Sequence, residues 1–269
     1  MTFLESTFGL QGKTAVITGG AGTLCGAIGE AYIRAGGNVI LWDIRAEALS
    51  ARVGQLNEAC GCCGRVDAVE VDLLNEPSIQ EALTKSVTKF GRVDVLVNGA
   101  GGNRGKCALT DVKEEDFEFV LKLNLIAGCL LPTKHFARYW IENRIRGAVL
   151  NIASMAAFSP LSGVWAYSAA KAAVMNQTMA HAKELAPWGI RVNGIAPGFF
   201  VADQNRRLLL NEDGSLTQRG RDVIAHTPMQ RFGDPNDLAA AAVFLAADGA
   251  AFVSGVTLPV DGAFLCHSI

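Results

Sequence analysis

The sequence predicts an α/β fold, a single doubly wound domain with a seven-stranded parallel sheet and helices on both faces. Three observations predict it. Short apolar runs rich in β-branched residues alternate with helix-patterned stretches from Lys13 to Asp261. A glycine-rich turn, Thr18-Gly-Gly-Ala-Gly-Thr-Leu-Cys-Gly26, joins the first run to the first helical pattern. The second run, Asn38-Val-Ile-Leu-Trp-Asp43, ends on an acid. Such alternation requires crossover helices between parallel strands and leaves no separate second domain, so residues 1–269 read as one unit.

Lys13-Thr-Ala-Val-Ile-Thr18 is the first strand, and Ala27 to Arg34 carries the helical pattern that follows. Strand, glycine turn and helix N-terminus together make an anion site, because backbone amides and the helix dipole point at a pyrophosphate. Its candidate contacts are Gly19, Gly22, Thr23 and Leu24. Asp43 stands about twenty residues further on, where a dinucleotide-binding βαβ unit keeps an acceptor for a ribose 2′-hydroxyl. A carboxylate there repels a 2′-phosphate, and the glycine loop holds no Lys or Arg to attract one, so NAD is preferred over NADP. Arg45, two residues beyond, weakens that preference slightly.

Ala46 to Ala59 is a helix, Val66 to Asp72 a strand ending on a second acid, and Pro77 to Phe90 a helix. Val93 to Asn98 is a fourth strand that opens into Gly99-Ala-Gly-Gly102. A long helix is expected from about Glu114 to Asn143 with Asn124 inside it, although Asn competes for backbone hydrogen bonds and is a poor mid-helix residue. Gly147 to Ile152 is a fifth strand, Ile190 to Ile195 a sixth, and Thr257 to Asp261 a seventh at an edge that tolerates Pro259. The polar stretch 199–231 breaks the rhythm after Pro197-Gly198. It is expected to be a substrate lid with one or two helices of its own.

Between the fifth and sixth strands lies Trp165-Ala-Tyr-Ser-Ala-Ala-Lys171 in a helical context. Tyr167 and Lys171, four apart, share a helical face, and a neighbouring ammonium should lower the pKa of a proton-trading phenol. Ser154, after the fifth strand, can offer its hydroxyl to the same substrate oxygen. Half of the 269 residues are hydrophobic, so a sizeable core is available. The net charge of -2 gives no electrostatic reason to expect nucleic acid or an anionic membrane as partner. The N-terminus lacks the features of a secretory signal, no apolar run of spanning length is free of charge or glycine, and the seven cysteines are odd in number. A reducing cytoplasm is therefore expected. Cys60, Cys62 and Cys63 lack a second ligand pair at zinc spacing and read as thiols in a connection, with no metal expected.

Taken in order, the Thr18–Gly26 turn, Asp43, Asp72, Asn98-Gly-Ala-Gly101, Asn124, Ser154, Tyr167-x-x-x-Lys171 and Pro197-Gly198 resemble the short-chain dehydrogenase/reductase family over nearly the whole chain. The resemblance implies a Rossmann domain and hydride transfer to or from NAD. It makes Tyr167 the general acid/base, with Ser154 polarising the carbonyl. Lys171 would hold the nicotinamide ribose and tune Tyr167, and Asn124 would support a water in a proton relay. It places Asp72 and Leu73 at the adenine, Asn98 near the adenosine half, and Ala100, Tyr167, Lys171, Pro197 and Gly198 along the cofactor. Three positions depart from the family pattern: Thr23 and Cys25 stand where glycines are usual, with Gly22 and Gly26 left to supply flexibility, and Gly99 stands where a second Asn is common.

The C-terminal third, with Ala196-Pro-Gly-Phe-Phe200, Gln204-Asn-Arg206, Asn211-Glu-Asp-Gly214, Ala225-His-Thr-Pro-Met229 and Leu258-Pro-Val-Asp-Gly262, is similar to the mannonate oxidoreductase (fructuronate reductase) branch. That similarity implies a six-carbon hydroxy or keto sugar acid as small-molecule substrate. Arg104, Lys106, Arg206 and Arg207 are then candidates for clamping its carboxylate, with Asn103, Ser154, Tyr167 and Asn205 as further substrate contacts. For the cations, solvated surface charge is the competing reading, and for His226 it is loop packing. Reduction of another sugar or of a ketoacyl thioester is the rival activity, and a cofactor-sensing protein without catalysis the rival class. The family also implies a homo-oligomer, tetramer or dimer, built on its long central helices.

Overall fold

The computed structural model describes residues 2–61, 64–202 and 204–266. A capped turn of helix, α1 (Phe3–Phe8), leads in. The Thr2 hydroxyl accepts from the Glu5 amide, and the Glu5 carboxylate accepts from the Thr2 amide. The alternating core follows as β1 (Thr14–Thr18), α2 (Thr23–Arg34), β2 (Asn38–Asp43), α3 (Ala46–Cys60), β3 (Val66–Glu70), α4 (Glu76–Phe90) and β4 (Val95–Asn98). After it come α5 (Glu114–Leu121), a π-helical segment (Lys122–Leu130), α6 (Leu131–Asn143), β5 (Ala148–Ile152), α7 (Trp165–Leu185) and β6 (Arg191–Pro197). The chain then forms α8 (Arg206–Leu209), α9 (Gln218–His226), α10 (Ala239–Ala246) and β7 (Thr257–Val260).

All seven strands are parallel, in the order β3-β2-β1-β4-β5-β6-β7. The order reverses between β1 and β4, which opens a crevice at their carboxyl ends. Consecutive strand residues feed opposite cores, as the twofold period of a strand requires. Ile17, Leu41, Val97 and Leu150 pack with Ile28, Tyr32 and Leu245 on one face. Their neighbours Val16, Ile40, Leu96 and Val149 pack with Trp42, Phe136 and Trp140 on the other. With helices on both faces, the central strands are apolar almost throughout. Strand β7 pairs only with β6, so Pro259 costs no second ladder.

Strand β4 begins at Val95 rather than Val93 and β6 runs on to Pro197, and two further differences bear on the site. Strand β3 stops at Glu70 rather than Asp72, because the chain turns where the Asp72 carboxylate accepts from the Leu74 amide at 2.9 Å. The long helix keeps its expected limits, but its middle, around Asn124, is π-helical. The polar stretch 199–231 contains α8 and α9, joined through an antiparallel bridge between Leu210 and Leu216. Asp203 within it lies outside the described residues, as do Cys62 and Cys63 of the cysteine cluster.

Candidate active site

At the β1–α2 turn only Gly19 has a left-handed backbone, with φ of +64°, so it alone in this loop requires glycine for its conformation. Gly22 is the extended N-cap of α2, and Gly26 lies within the helix. The flexibility expected of those two resides in Gly19 instead. Thr23 and Cys25 are right-handed helical residues, so their Cβ atoms cost nothing. No side chain caps α2, which leaves its first turn able to take an anion. The two loops of the crevice are stapled by Thr18, which sequence reading passed over. Its hydroxyl accepts from the amides of Gly99 (3.0 Å) and Ala100 (3.2 Å) and donates to the Val97 carbonyl.

Asp43 is buried at the end of β2 and bears a bidentate ion pair. Arg45 Nε lies 3.0 Å from Oδ1 and Nη2 3.2 Å from Oδ2, and the amides of Ala21 and Arg45 donate to the same carboxylate. Asp72 is exposed, and Leu73 packs at the edge of the second core. Asn98 is buried among β4, β5 and the long helix. Its Nδ2 donates to Asn151 Oδ1 (2.8 Å) and Thr133 Oγ1 (2.9 Å), and Asn151 in turn donates to Thr178 on α7. This polar network locks the cofactor-side strand to the helix that carries Tyr167.

Asn124 explains its own position. Its Nδ2 donates to the carbonyls of Gly102 (2.7 Å) and Val120 (2.8 Å), and its Oδ1 accepts from the Gly102 amide at 3.1 Å. The side chain thus substitutes for a backbone unit and fastens the β4–α5 loop to the π-helical segment. Pro197-Gly198 closes the other side, where the Gly198 amide donates to the Val260 carbonyl at 3.0 Å.

Ser154 lies two residues beyond β5, buried, at the head of a single 3₁₀ turn (Met155–Ala157). Its Oγ accepts from the Ala156 amide at 3.1 Å, and the hydroxyl is near enough to the Tyr167 phenol to favour the phenolate. Burial raises the Tyr167 pKa above its ordinary value, and the Ser154 bond partly opposes that rise. The expected lowering by Lys171 is not what the geometry produces. The Lys171 ammonium turns to the Ile152 carbonyl at 2.7 Å and stands 5.6 Å from the centre of the tyrosine ring. Burial lowers the Lys171 pKa to about 8, with Cys129 and Cys25 pulling it back up. Ser154, Tyr167, Lys171 and Asn124 are therefore brought together at the carboxyl edge of the sheet. A phenol, a hydroxyl and a buried amine so placed can exchange a proton with one substrate oxygen and polarise it.

The substrate candidates fare differently. The Arg104 guanidinium lies 3.5 Å over the Phe119 ring and pairs with Asp116, so it is spent on α5. Asn103 donates to the Gly105 carbonyl within its own loop. Asn205 uses both ends of its amide on the backbone, accepting from Ala202 and donating to the Phe200 carbonyl, each at 2.8 Å. Asn103 and Asn205 act as loop braces, because short polar groups satisfy nearby backbone first. Arg206 and Arg207 are exposed on α8. The His226 ring packs against Phe264 at 4.6 Å, the loop-packing alternative. A cavity of about 350 Å³ beside Phe199, Phe200, Arg231 and Asp261 includes none of the proton-handling residues. Among the described residues no three His, Cys, Asp or Glu gather as a metal site, and no helix is long and apolar enough to cross a membrane.

The short chain dehydrogenase family profile matches residues 13–213. An uncharacterised oxidoreductase of Bacillus subtilis, UxuB, is 41% identical over 275 residues, covering 96% of this chain and 97% of its own. A crystal structure of a provisionally assigned D-mannonate oxidoreductase from Haemophilus influenza, with bound NAD, superposes with a TM-score of 0.88 at 36% identity, covering 98% and 99% of the two chains. A provisionally assigned gluconate dehydrogenase from Agrobacterium tumefaciens gives a TM-score of 0.88 at 29% identity, covering 97% and 99%.

Proposed function

The chain belongs to the short-chain dehydrogenase family, and from that premise we propose that it moves a hydride between NAD(H) and a hydroxy or keto sugar acid of the mannonate/fructuronate type. The observation that carries the chemistry is the gathering of the Ser154 hydroxyl, the Tyr167 phenol and the buried Lys171 ammonium, which stands 5.6 Å from the tyrosine ring centre. The sugar-acid assignment is supported by similarity to relatives described as mannonate and gluconate oxidoreductases.

The residues present fit a dinucleotide. The uncapped α2 N-terminus and the left-handed Gly19 make a cradle for a pyrophosphate, with Gly22, Thr23 and Leu24 at its rim. Asp43 suits ribose hydroxyls, Asp72 and Leu73 the adenine, and Asn98, Ala100, Lys171, Pro197 and Gly198 the remainder. When bound, the nicotinamide supplies the hydride acceptor or donor.

The protein's own residues handle the proton and the polarisation. In oxidation Tyr167, as phenolate, takes the hydroxyl proton, while Ser154 donates a hydrogen bond to the oxygen becoming a carbonyl. In reduction Tyr167 returns the proton, and its burial keeps it protonated for that step. Lys171, anchored on Ile152, sets the charge beside the phenol. The Asn124 side chain is consumed by Gly102 and Val120, so any part it plays in a water relay falls to its main chain.

In this reading the segment 199–231 closes over the substrate, with α8 and its exposed Arg206 on the covering segment. Assembly as a tetramer or dimer belongs to the same reading, supported by exposed Leu130 and Met179 on the central helices. The free thiols of Cys25, Cys107, Cys129 and Cys266 support a reducing cytoplasm.

The test is initial rates with NAD and NADP against hexonic acids, their keto forms, neutral sugars and a ketoacyl thioester, repeated with Tyr167→Phe. NAD-linked turnover of the sugar acids is expected, with activity in the variant reduced by at least about a hundredfold and NAD still bound. Turnover of neutral sugars or thioesters alone removes the sugar-acid assignment. Activity of Tyr167→Phe within about tenfold of the parent removes Tyr167 from the acid/base role.

A further inference from the structure

Ser154 and Tyr167 are joined by a single stretch of chain, 155–166, which forms one wall of their site. The loop between β4 and α5 docks on this wall through two hydrogen bonds. The Cys107 amide donates to the Gly163 carbonyl at 3.2 Å, and the Trp165 indole Nε1 donates to the Cys107 carbonyl at 3.2 Å. The wall is itself pinned to α7, since the Leu161 amide donates to the Ser168 hydroxyl at 3.2 Å.

Lys106, next to Cys107, lays its stem across Gly163. A Cβ at that glycine would come within 2.7 Å of both Cγ and Cε of the lysine, and Gly163 has φ of +81°. A side chain at 163 would displace the lysine, so the glycine makes the groove in which the stem rests. Gly163 precedes Tyr167 by one helical turn's worth of chain. The lysine stem thereby lies against the stretch of chain that leads into Tyr167. Among the described residues Lys106 forms no hydrogen bond or ion pair, whereas Arg104 on the same loop is spent on Phe119 and Asp116. An exposed ammonium on a seated stem, without an acceptor, suits an anionic group brought by the substrate.

We propose that Lys106 is the specificity-determining cation of this enzyme, the group that reads the substrate carboxylate. The inference rests on the sugar-acid reading above and narrows it. Four cations suggested by sequence reduce to one whose stem is seated on the wall between Ser154 and Tyr167. Recognition is by a single ammonium as a point charge, so an acid is distinguished from its alditol by charge.

The experiment compares kcat and KM of the full-length protein for a six-carbon aldonic acid and for the alditol of the same length and stereochemistry. It uses the parent, Lys106→Met, Lys106→Arg and Arg206→Met. The acid-to-alditol ratio of kcat/KM should fall roughly ten- to a hundredfold in Lys106→Met, the range of a lost hydrogen bond to a charged group, with the loss carried by KM. Lys106→Arg should recover most of it. A ratio within about twofold of the parent in Lys106→Met, with a fall in Arg206→Met, overturns the proposal and assigns the carboxylate to the polar stretch. A parent that oxidises the alditol and not the acid fails the sugar-acid reading itself, whatever the variants do.

Discussion

The sulfur of Cys25 occupies the space that a side chain at Gly99 would need: a Cβ built on Gly99 comes within 2.2 Å of Cys25 Sγ. Each residue departs from the family pattern in sequence, and together they compensate. The thiol enters from α2 and packs under the turn after β4, which Thr18 holds in place from the neighbouring strand β1. Burial pushes the Cys25 thiol up to about 12, so it acts as a packing group rather than a nucleophile.

The pair should behave as one unit. Gly99→Ala alone should destabilise the protein by about 1–3 kcal/mol, the usual cost of overpacking. Adding Cys25→Gly should recover part of that loss, the remainder staying with the Thr18 carbonyl 2.8 Å from the same Cβ, although Cys25→Gly alone is itself unfavourable. Urea denaturation of the three variants measures the coupling, and strictly additive effects would show that the two positions do not share this space.

Asp43 and Arg45 give a prediction about cofactor choice. The carboxylate holds the guanidinium through two contacts and keeps it from acting as an anion site. Asp43→Asn should lower kcat/KM for NAD roughly ten- to a hundredfold and raise the preference for NADP, because Arg45 is released toward a 2′-phosphate. Asp43→Asn combined with Arg45→Ala should lose the NADP gain. Initial rates with each cofactor decide it, and an unchanged ratio in Asp43→Asn contradicts the assignment of the ribose site.

Lys171 ties burial to pH. Its folded pKa of about 8 lies below the ordinary 10.5, because burial disfavours the ammonium. Below pH 8 the lysine is charged in both states, and its burial opposes folding by on the order of 3 kcal/mol. Between about pH 8 and 10.5 the unfolded chain binds more protons than the folded one, so this group's contribution to stability rises with pH. Lys171→Met lacks a titrating group and should lack that rise. The stability of parent relative to variant, followed by urea denaturation from pH 7 to 10.5, should shift in favour of the parent by an amount on that order. A flat difference would mean that the ammonium is not desolvated.

Asn124 shows how far local sequence reading reaches. Its low helix propensity marked it as out of place, but the cause lies in Gly102, a loop residue 22 positions earlier that the helix meets only in the folded chain. Arg104 and Asn205 show the converse. Both have the right chemistry for a substrate, and neither reveals in sequence that Phe119 and Asp116, or the carbonyl of Phe200, engage it first.

The sequence by itself determined the strand and helix order, the parallel sheet, the glycine cradle, Asp43 at the end of β2 and the Tyr167–Lys171 spacing. Each of these is written in periodicity or in neighbours a few residues apart, where backbone geometry leaves few choices. Only the tertiary structure decided that Cys25 answers Gly99, that the Lys171 ammonium turns to Ile152, that the Tyr167 phenol is raised rather than lowered, and that the stem of Lys106 is seated on Gly163. Those outcomes depend on packing distance, desolvation and competition for hydrogen-bond partners between segments remote in the chain, and they exist only once the chain is folded.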